Sequence, residues 1–534
     1  MTRGQTSEVG GQGARTGRHA ALVAAGILVS RLTGLARQRV FSHYFGLRDD
    51  TADAFTAAFR IPNFLQNLFG EGAMSGSFIP VYASLLARGQ QREADRVAGA
   101  VASLLALVVS AIVLVGVLAT PLLIGAVAPG FHGEKRVLTI AIVRVLFPGA
   151  GLFVVSAWCL GILNSHRRFL LSYASPVMWN VAMIATLVMF GPRQELPRLA
   201  MTLAWGSVAG SALQFVVQLP AVWKLAPDLN FALDTASEHV RTVIRGFFPV
   251  LLSRGVSQVS AYIDQLIASV LGTGAVTGLQ NASTLYTLPI SLFGMSISAA
   301  ELPAMSGTMG VDPSAFGTLR ERLDAGLRRI AFFVVPSAVA FLALGDVIVA
   351  ALFQTGRFQA ADSVIVWGIL AGSTVGLLAS TLARLYSSTY YALKDTRTPL
   401  NYAIIRVVLT TVLGYLCAIP LPRLLGISAI WGTAGLTASA GVAGWVEMLM
   451  LRRTMNARIG KTGLPVSYVA KLWASGITGA AVAWGVKLAL PAMHPIVSAA
   501  AILGAYGVVY LAGTFVLQVP EASSAVRRLQ ARRR

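Results

Sequence analysis

Charge is scarce in this chain. Of 534 residues only 12% are Asp, Glu, Lys or Arg, and acids are the scarcer kind, 22 against 43 basic residues. A water-soluble domain carries about 25% charged residues, so a soluble fold is excluded at the outset. Cysteine is scarcer still. Cys159 and Cys417 are the only two, each inside an apolar run, so they read as core thiols, with no disulfide framework or thiolate metal site. The six histidines (19, 43, 132, 166, 239 and 494) are scattered, with no His-Glu-x-x-His pattern. A phosphate-cradling Gly-x-x-x-x-Gly-Lys-Ser/Thr loop is missing too, which argues against ATP hydrolysis by this chain. The net charge of +21 does not point to nucleic acid. The basic residues sit mostly in short loops between apolar runs, where they act as topology signals.

Apolar sequence is what the chain has in abundance: 55% of residues are hydrophobic. Fourteen runs of spanning length can be placed between 19 and 518, which predicts an all-α polytopic membrane protein with about 14 transmembrane helices. The first eighteen residues, rich in Gly, Thr and Arg, read as a disordered cytoplasmic tail. The run that follows leads into Arg31 rather than a small-residue cleavage site, so it is not a removable signal peptide. With the N-terminus inside, the outside loops hold only Arg48, Lys135, Arg136, Arg193, Arg198, Arg357 and Arg423. The other loops hold many more basic residues, so both termini are expected in the cytoplasm. A weak repeat is visible as well. Phe59-Arg60-Ile61-Pro62 with Leu68-Phe69-Gly70 in the second run is matched by Tyr286-Thr287-Leu288-Pro289 with Leu292-Phe293-Gly294 in the eighth. A six-run offset implies two six-helix lobes related by a pseudo-two-fold axis along the membrane normal, with a cavity between them and two extra C-terminal helices. The expected organisation is a tail 1–18, an N-lobe 19–223, a cytoplasmic linker 224–239, a C-lobe 240–451, the appended helices 466–518 and a basic tail 519–534.

The stretch from Ser30 to Pro80 is the most informative. Arg31, Arg37, Asp53, Arg60, Asn63, Asn67 and Glu71 lie within or at the ends of its two apolar runs. Ionisable groups at membrane depth are costly and usually face a wet cavity or a partner. On an ideal helix Asp53, Arg60, Asn67 and Glu71 fall within about 40° of one another, a single polar stripe. Pro62, Gly70 and Gly72 should bend or break that helix. The stripe reads either as a cavity lining or as a buried salt bridge with snorkelling arginines, and the first reading is preferred. Further intramembrane cations are Arg144, Arg254, Arg384 and Arg406, while Asp264 is the clearest buried acid of the second half. Many cations and few acids point to an anionic, phosphate-bearing substrate, because the Arg fork matches phosphate oxygens.

On the segments SRLTGLAR (30–37) and TADAFTAAFRIPNFLQNLFGEGAMSGSFIP (51–80) the chain resembles the MurJ/MviN family. Those proteins are the lipid II flippases of the multidrug/oligosaccharidyl-lipid/polysaccharide exporter superfamily. The resemblance continues at Arg144-Val145-Leu146-Phe147-Pro148, at Gly161-Ile162-Leu163-Asn164, at LPISLFG (288–294) and at YALKDTRTP (391–399), and covers nearly the whole chain. It implies a transporter rather than an enzyme, one that flips undecaprenyl-pyrophosphate-linked disaccharide-pentapeptide by alternating access of a cationic cavity. The polyprenyl tail would lie in a groove of the last two helices. Arg31, Arg37, Asp53 and Glu71 match functional charges of the family, and Arg60, Arg144 and Arg384 fall where it commonly has Arg or Lys. Arg254 and Asn67 complete the expected substrate-binding set.

The chain also departs from the family pattern. Gln38 stands where an Asp usually follows the second Arg, Gln66 and Asn67 replace a basic pair, and Thr284 replaces a head-group Arg. Asp264 matches a cation-site acid, but Thr410 and Gly414 replace its expected partners. No cofactor is expected, with coupling to the membrane potential or to a monovalent cation, and the expected state is a monomer among membrane lipids. The thinner set of cations keeps two alternatives open, export of another polyprenyl-linked glycan and an inactive membrane scaffold. A cationic cavity speaks against drug/cation antiport.

Overall fold

The computed structural model describes residues 26, 28–308, 315–491 and 493–523. Within its helices the side chains of 71, 72, 250, 252–261, 303, 304, 307, 308 and 315 lie outside the description. Among the described residues there is no named strand, only an isolated bridge between Thr355 and Phe358. The chain forms two compact units, one through Tyr262 and one from Ile263. Where they are described, the fourteen apolar runs fall on helices or on broken pairs of helices. Nine described helices, or ten if one bent pair counts as a single span, are long and apolar enough to cross a membrane.

The first unit contains α1 (28–45), α2 (Asp50–Phe69), α3 (Glu71–Ala87), α4 (Gln91–Val127), α5 (Gly133–Ser165), α6 (Phe169–Phe190) and α7 (Leu196–Leu225), and the division between units falls inside α8 (Glu238–Ser269). The run at 51–86 is therefore two helices, and the break sits at Gly70 rather than at Pro62. Gly70 adopts φ −77°, ψ −144°, and a Cβ there would lie 2.1 Å from the carbonyl oxygen of Gln66. Only glycine fits that turn. Two apolar cores hold the unit. One joins Phe41, Phe55, Val143, Met183 and Leu203 from α1, α2, α5, α6 and α7. The other joins Phe78, Val97, Trp158, Val222 and Val243 from α3, α4, α5, α7 and α8. The second core ends in a polar knot. The Tyr82 hydroxyl lies 3.1 Å from His166 Nε2 and 3.5 Å from Asp95. Asp95 also accepts from Gln91 and from the Asp228 backbone N–H.

The second unit continues with α9 (Ala275–Pro289), a π-helical turn (Ile290–Met295), α10 (Ser296–Thr308), α11 (Ala315–Phe353), α12 (Ala360–Thr374), α13 (Leu377–Ala392), α14 (Arg397–Ala418), α15 (Pro420–Leu424), α16 (Gly432–Ile459), α17 (Val466–Ala489) and α18 (Pro495–Val516). The helices α12 and α13 are the bent pair, at 42°. The repeated Leu-Phe-Gly triplet marks a departure from α geometry in each unit: it ends α2 at Gly70 and lies inside the π turn at Gly294. Such turns recur at functional sites.

The helix α11 shows how irregular backbone is made tolerable in lipid. Pro336 has no N–H to give to the carbonyl of Phe332, and the Tyr510 hydroxyl of α18 takes that carbonyl at 2.6 Å. Tyr506 donates to the Pro336 carbonyl at 2.7 Å. Leu344 departs from helical geometry (φ −127°, ψ 16°), and beside it Trp484 of α17 donates to the Ala343 carbonyl at 2.8 Å. An unpartnered carbonyl in hydrocarbon costs several kcal/mol, so α17 and α18 are fixed to α11 by its kinks as much as by the apolar contacts of Val339, Leu344, Ala483 and Ile502.

Candidate functional site

Arg37 is the cation most firmly built into the first unit. Its Nε donates to Asn180 Oδ1 of α6 at 3.1 Å. The guanidinium carbon lies 4.9 Å from the ring centre of Trp179 and 5.6 Å from that of Phe59. The two rings stack on each other, 5.5 Å apart and 15° from parallel. Trp179 is itself fixed. Its Nε1 donates to Ser207 of α7 at 3.0 Å, Phe153 meets it edge-on, and a Cβ at Gly210 would lie 2.9 Å from its ring. The Asn180 amide nitrogen in turn donates to the Pro176 carbonyl at 3.3 Å. Four helices, α2, α5, α6 and α7, thus orient one planar cation, with aromatic faces supplying the cation–π attraction that water would otherwise replace.

The stripe on α2 does not share one environment. Asp53 is fully buried and pairs with Lys135 of α5 at 3.0 Å. Lys135 also holds Asp50 at 2.9 Å and lies 4.3 Å from the Phe131 ring centre. Arg60 is half-buried, and its carbonyl accepts from the Tyr262 hydroxyl at 2.9 Å. Asn67 is exposed. The break at Gly70 puts Glu71 on the next helix, and its side chain lies outside the described residues, as does that of Arg254. Arg31 on α1 and Arg144 on α5 are exposed. The structure therefore brings Asp53 together with Lys135, and Arg37 with Asn180 and Trp179. It leaves Arg31, Arg144 and Asn67 as separate exposed groups.

In the second unit Arg384 of α13 is exposed. Arg406 of α14 donates to Glu447 of α16 at 3.1 Å. Thr284 turns its hydroxyl back onto the Gln280 carbonyl at 2.9 Å. Asp264 is half-buried on α8. Among the described residues no group of three His, Cys, Asp or Glu could hold a metal ion. Gly414 offers no ligand atom from a side chain, and a Cβ there would come 2.9 Å from Leu436. Its identity is explained by close packing of α14 on α16.

Lys135, Asn180, Trp179 and Glu447 escaped the sequence reading. In the sequence Lys135 stands among loop cations, and a lone Asn or Glu in an apolar helix has no spacing that assigns it a partner. The YALKDTRTP segment is resolved as a turn. Asp395 accepts from the Thr398 N–H and hydroxyl at 3.0 and 2.7 Å and pairs with Arg458 at 2.7 Å. These contacts with Thr398, then with Arg458, hold its carboxyl at about 2. The segment ties the start of α14 to α16.

A family model described as lipid II flippase MurJ matches residues 41–511. The lipid II flippase MurJ of Burkholderia cenocepacia is 33% identical over 431 residues, which cover 79% of this chain and 80% of that protein. A solved structure of lipid II flippase MurJ in an inward closed conformation aligns with a TM-score of 0.77 at 23% identity, over 93% of this chain and 98% of its own. An inward-facing multidrug resistance transporter of the MATE family, in the MOP superfamily, aligns with a TM-score of 0.65 at 18% identity, over 80% of this chain and 95% of its own. At these identities the two structural likenesses speak for the fold.

Proposed function

This chain belongs to the lipid II flippase MurJ family, and from that premise we propose how it moves lipid II, with Arg37 as the first contact of the pyrophosphate. The protein is a multi-pass membrane transporter and not an enzyme. Its task follows from the substrate: a pyrophosphate, sugars and a peptide cannot cross hydrocarbon unaided, whereas a polyprenyl tail can stay in it. The protein must offer the head group a polar path through the membrane and leave the tail in lipid.

The observation that carries the reading is the Arg37 guanidinium, held between Asn180 and the Trp179–Phe59 pair. Pre-orientation removes part of the cost of ordering the side chain on binding. A fork of N–H groups matches phosphate oxygens in a way that an ammonium cannot. Arg31, Arg60, Arg144 and Arg384 supply further positive charge along the path, with Asn67, and with Glu71 and Arg254 assigned from the sequence alone. Asp53 serves through its ion pair with Lys135, which fixes α2 against α5 and keeps the buried carboxylate from repelling the anion. Exposed apolar residues of α17 and α18, among them Ile477, Leu488, Val508 and Phe515, suit the tail. Both termini face the cytoplasm, the protein acts as a monomer, and opening alternates between the two membrane faces. Outward movement of an anion runs down the inside-negative potential, worth about 2.3 kcal/mol per elementary charge per 100 mV. That potential is the preferred driving force.

The test is complementation of a bacterium depleted of its own flippase. The unaltered chain should restore growth. Arg37→Ala should abolish it without lowering membrane abundance, and Arg37→Lys should be impaired. Full growth with Arg37→Ala would remove Arg37 from the path.

A further inference from the structure

A polar seam runs through the apolar interior of the first unit. Ser207, Ser211, Gln214 and Gln218 of α7 follow one another at helical spacing on one face, and all four are buried. At one end Ser207 takes the Trp179 indole N–H at 3.0 Å. At the other, Gln218 Nε2 donates to Ser156 of α5 at 2.9 Å and to Ser175 of α6 at 2.7 Å. Gln214 Nε2 donates to the same Ser156 hydroxyl at 3.2 Å. Ser156, Ser172 and Ser175 are buried as well.

The hydrogen bonds of this seam do not close. Pro176 has no N–H to give to the Ser172 carbonyl, and the Ser175 hydroxyl takes that carbonyl at 3.1 Å. With its proton committed there, Ser175 can only accept from Gln218, so the amide must turn its NH2 group toward it. Both N–H bonds of Gln218 are then used, and its Oε1 has no partner among the described residues. Gln214 Oε1 and the Ser172 hydroxyl have none either. The two amides share Ser156, and Ser172 stands three residues before Ser175 on one face of α6, so the three atoms border one region of the seam. Orphaned polar groups are costly inside membrane-spanning helices. Buried water is bound where a few such atoms lie together without partners.

We propose that this region is a buried hydration site, in which water donates to Gln218 Oε1 and Gln214 Oε1 and pairs with the Ser172 hydroxyl. The site is separate from the lipid II path and asks nothing of its arginines. Water fits the donor set better than an ion does. The set consists of amides and hydroxyls, with no carboxylate to balance a cation, and Ser172 sits in the first turn of α6, at the positive end of the helix dipole. An anion needs donors, and two of the three orphaned atoms are amide oxygens. The consequence falls on α6, which carries Asn180 and Trp179. Its first turns are tied to α5 and α7 through Gln218 and through water, whose bridges are nearly as good as direct hydrogen bonds.

The test compares two substitutions of Gln218 in the full-length protein by thermal unfolding in detergent. Gln218→Leu nearly keeps the volume and offers water nothing. Gln218→Ser shortens the side chain and leaves room for a further water between Ser156 and Ser175. In a wet seam the serine variant is the more stable, unfolding about 2–4 °C above the leucine variant. In a dry seam the order reverses, because leucine fills the space and serine opens a cavity; that order would overturn the proposal. A general loss of stability moves both variants and leaves their order readable. The unaltered protein gives the direct check. A density map in lipid nanodiscs, at a resolution that shows ordered water, should place water within hydrogen-bond distance of Gln218 Oε1, and a dry seam in that map would refute the site. Exchange of choline for sodium in the buffer should leave the unfolding temperature of the unaltered protein unchanged. A rise with sodium that Gln218→Leu abolishes would assign the site to a monovalent cation and overturn the water.

Discussion

Asn180→Ala isolates what orientation contributes to the first-unit site. The substitution leaves the Arg37 charge in place and removes the acceptor of its Nε–H, a 3.1 Å bond. A hydrogen bond to a charged group contributes about 1.5–3 kcal/mol, which corresponds to about 10- to 150-fold in the population of the bound-ready orientation. The two rings remain, and cation–π attraction of about 0.5–2 kcal/mol keeps part of the geometry. The loss should therefore lie toward the lower end and be smaller than for Arg37→Ala. Since orientation is lost and charge is not, the effect should appear as weaker apparent affinity for lipid II, with the saturated flipping rate nearly kept. The assay is flipping of labelled lipid II in proteoliposomes as its mole fraction is raised. Asn180→Asp gives the contrasting case. It preserves an acceptor at the same place but neutralises the cation with a carboxylate, so affinity should fall further than with Ala. If Asn180→Ala flips normally at limiting lipid II while Arg37→Ala fails, the Asn180 contact orients nothing of consequence. If Asn180→Asp is the milder of the two, charge at Arg37 is not what binds the head group.

Three further outcomes follow from the fold. Tyr510→Phe strips the hydroxyl that satisfies the carbonyl freed by Pro336; thermal unfolding in detergent should show a loss of about 1–2 kcal/mol, with the docking of α17 and α18 loosened, and an unchanged midpoint would contradict that role. Gly70→Ala places a carbon 2.1 Å from the Gln66 carbonyl oxygen, so it should lower both membrane abundance and complementation, whereas Ala at Gly34, where nothing lies within 4 Å, should be tolerated. Burial lowers the pKa of His166 from its ordinary 6.5, opposed by Asp95 and helped by Arg168. The folded state thus prefers the neutral ring, and its stabilising share is present above about pH 6.5 and lost as pH falls toward the lowered folded value. His166→Gln, which keeps a polar partner for Tyr82 without titrating, should flatten the decline in unfolding temperature between pH 7 and 5, and an equally steep decline would refute the assignment.

The legible and illegible parts of this protein divide along a physical line. Spanning length and apolar composition are local quantities, so the described part of every run reappears as a helix or a broken helix, and the family is readable in the motifs around Arg31, Arg37 and Arg60. Glycine's role at Gly70 was half legible: a break was expected near it, yet Pro62 was given equal weight and lies unbroken inside α2. The helical wheel groups Asp53, Arg60, Asn67 and Glu71 into one stripe because angle about a helix axis is also local. Whether a position on that stripe meets water, lipid or another side chain depends on what packs against it.

The sequence by itself determined that the chain is an α-helical membrane protein rich in intramembrane arginine, since burying so much apolar surface with so few charges leaves no other solution, and its motifs carried the resemblance to a transporter family. Only tertiary structure decided which of those charges is already spoken for. Asp53 is buried against Lys135 and a half-exposed Arg406 pairs with the buried Glu447, each on a different helix, while Arg37 finds an amide and two rings rather than an acid. Ion pairing falls off over a few ångströms in space and has no memory of separation along the sequence, so the partners of a charge are fixed when the helices pack.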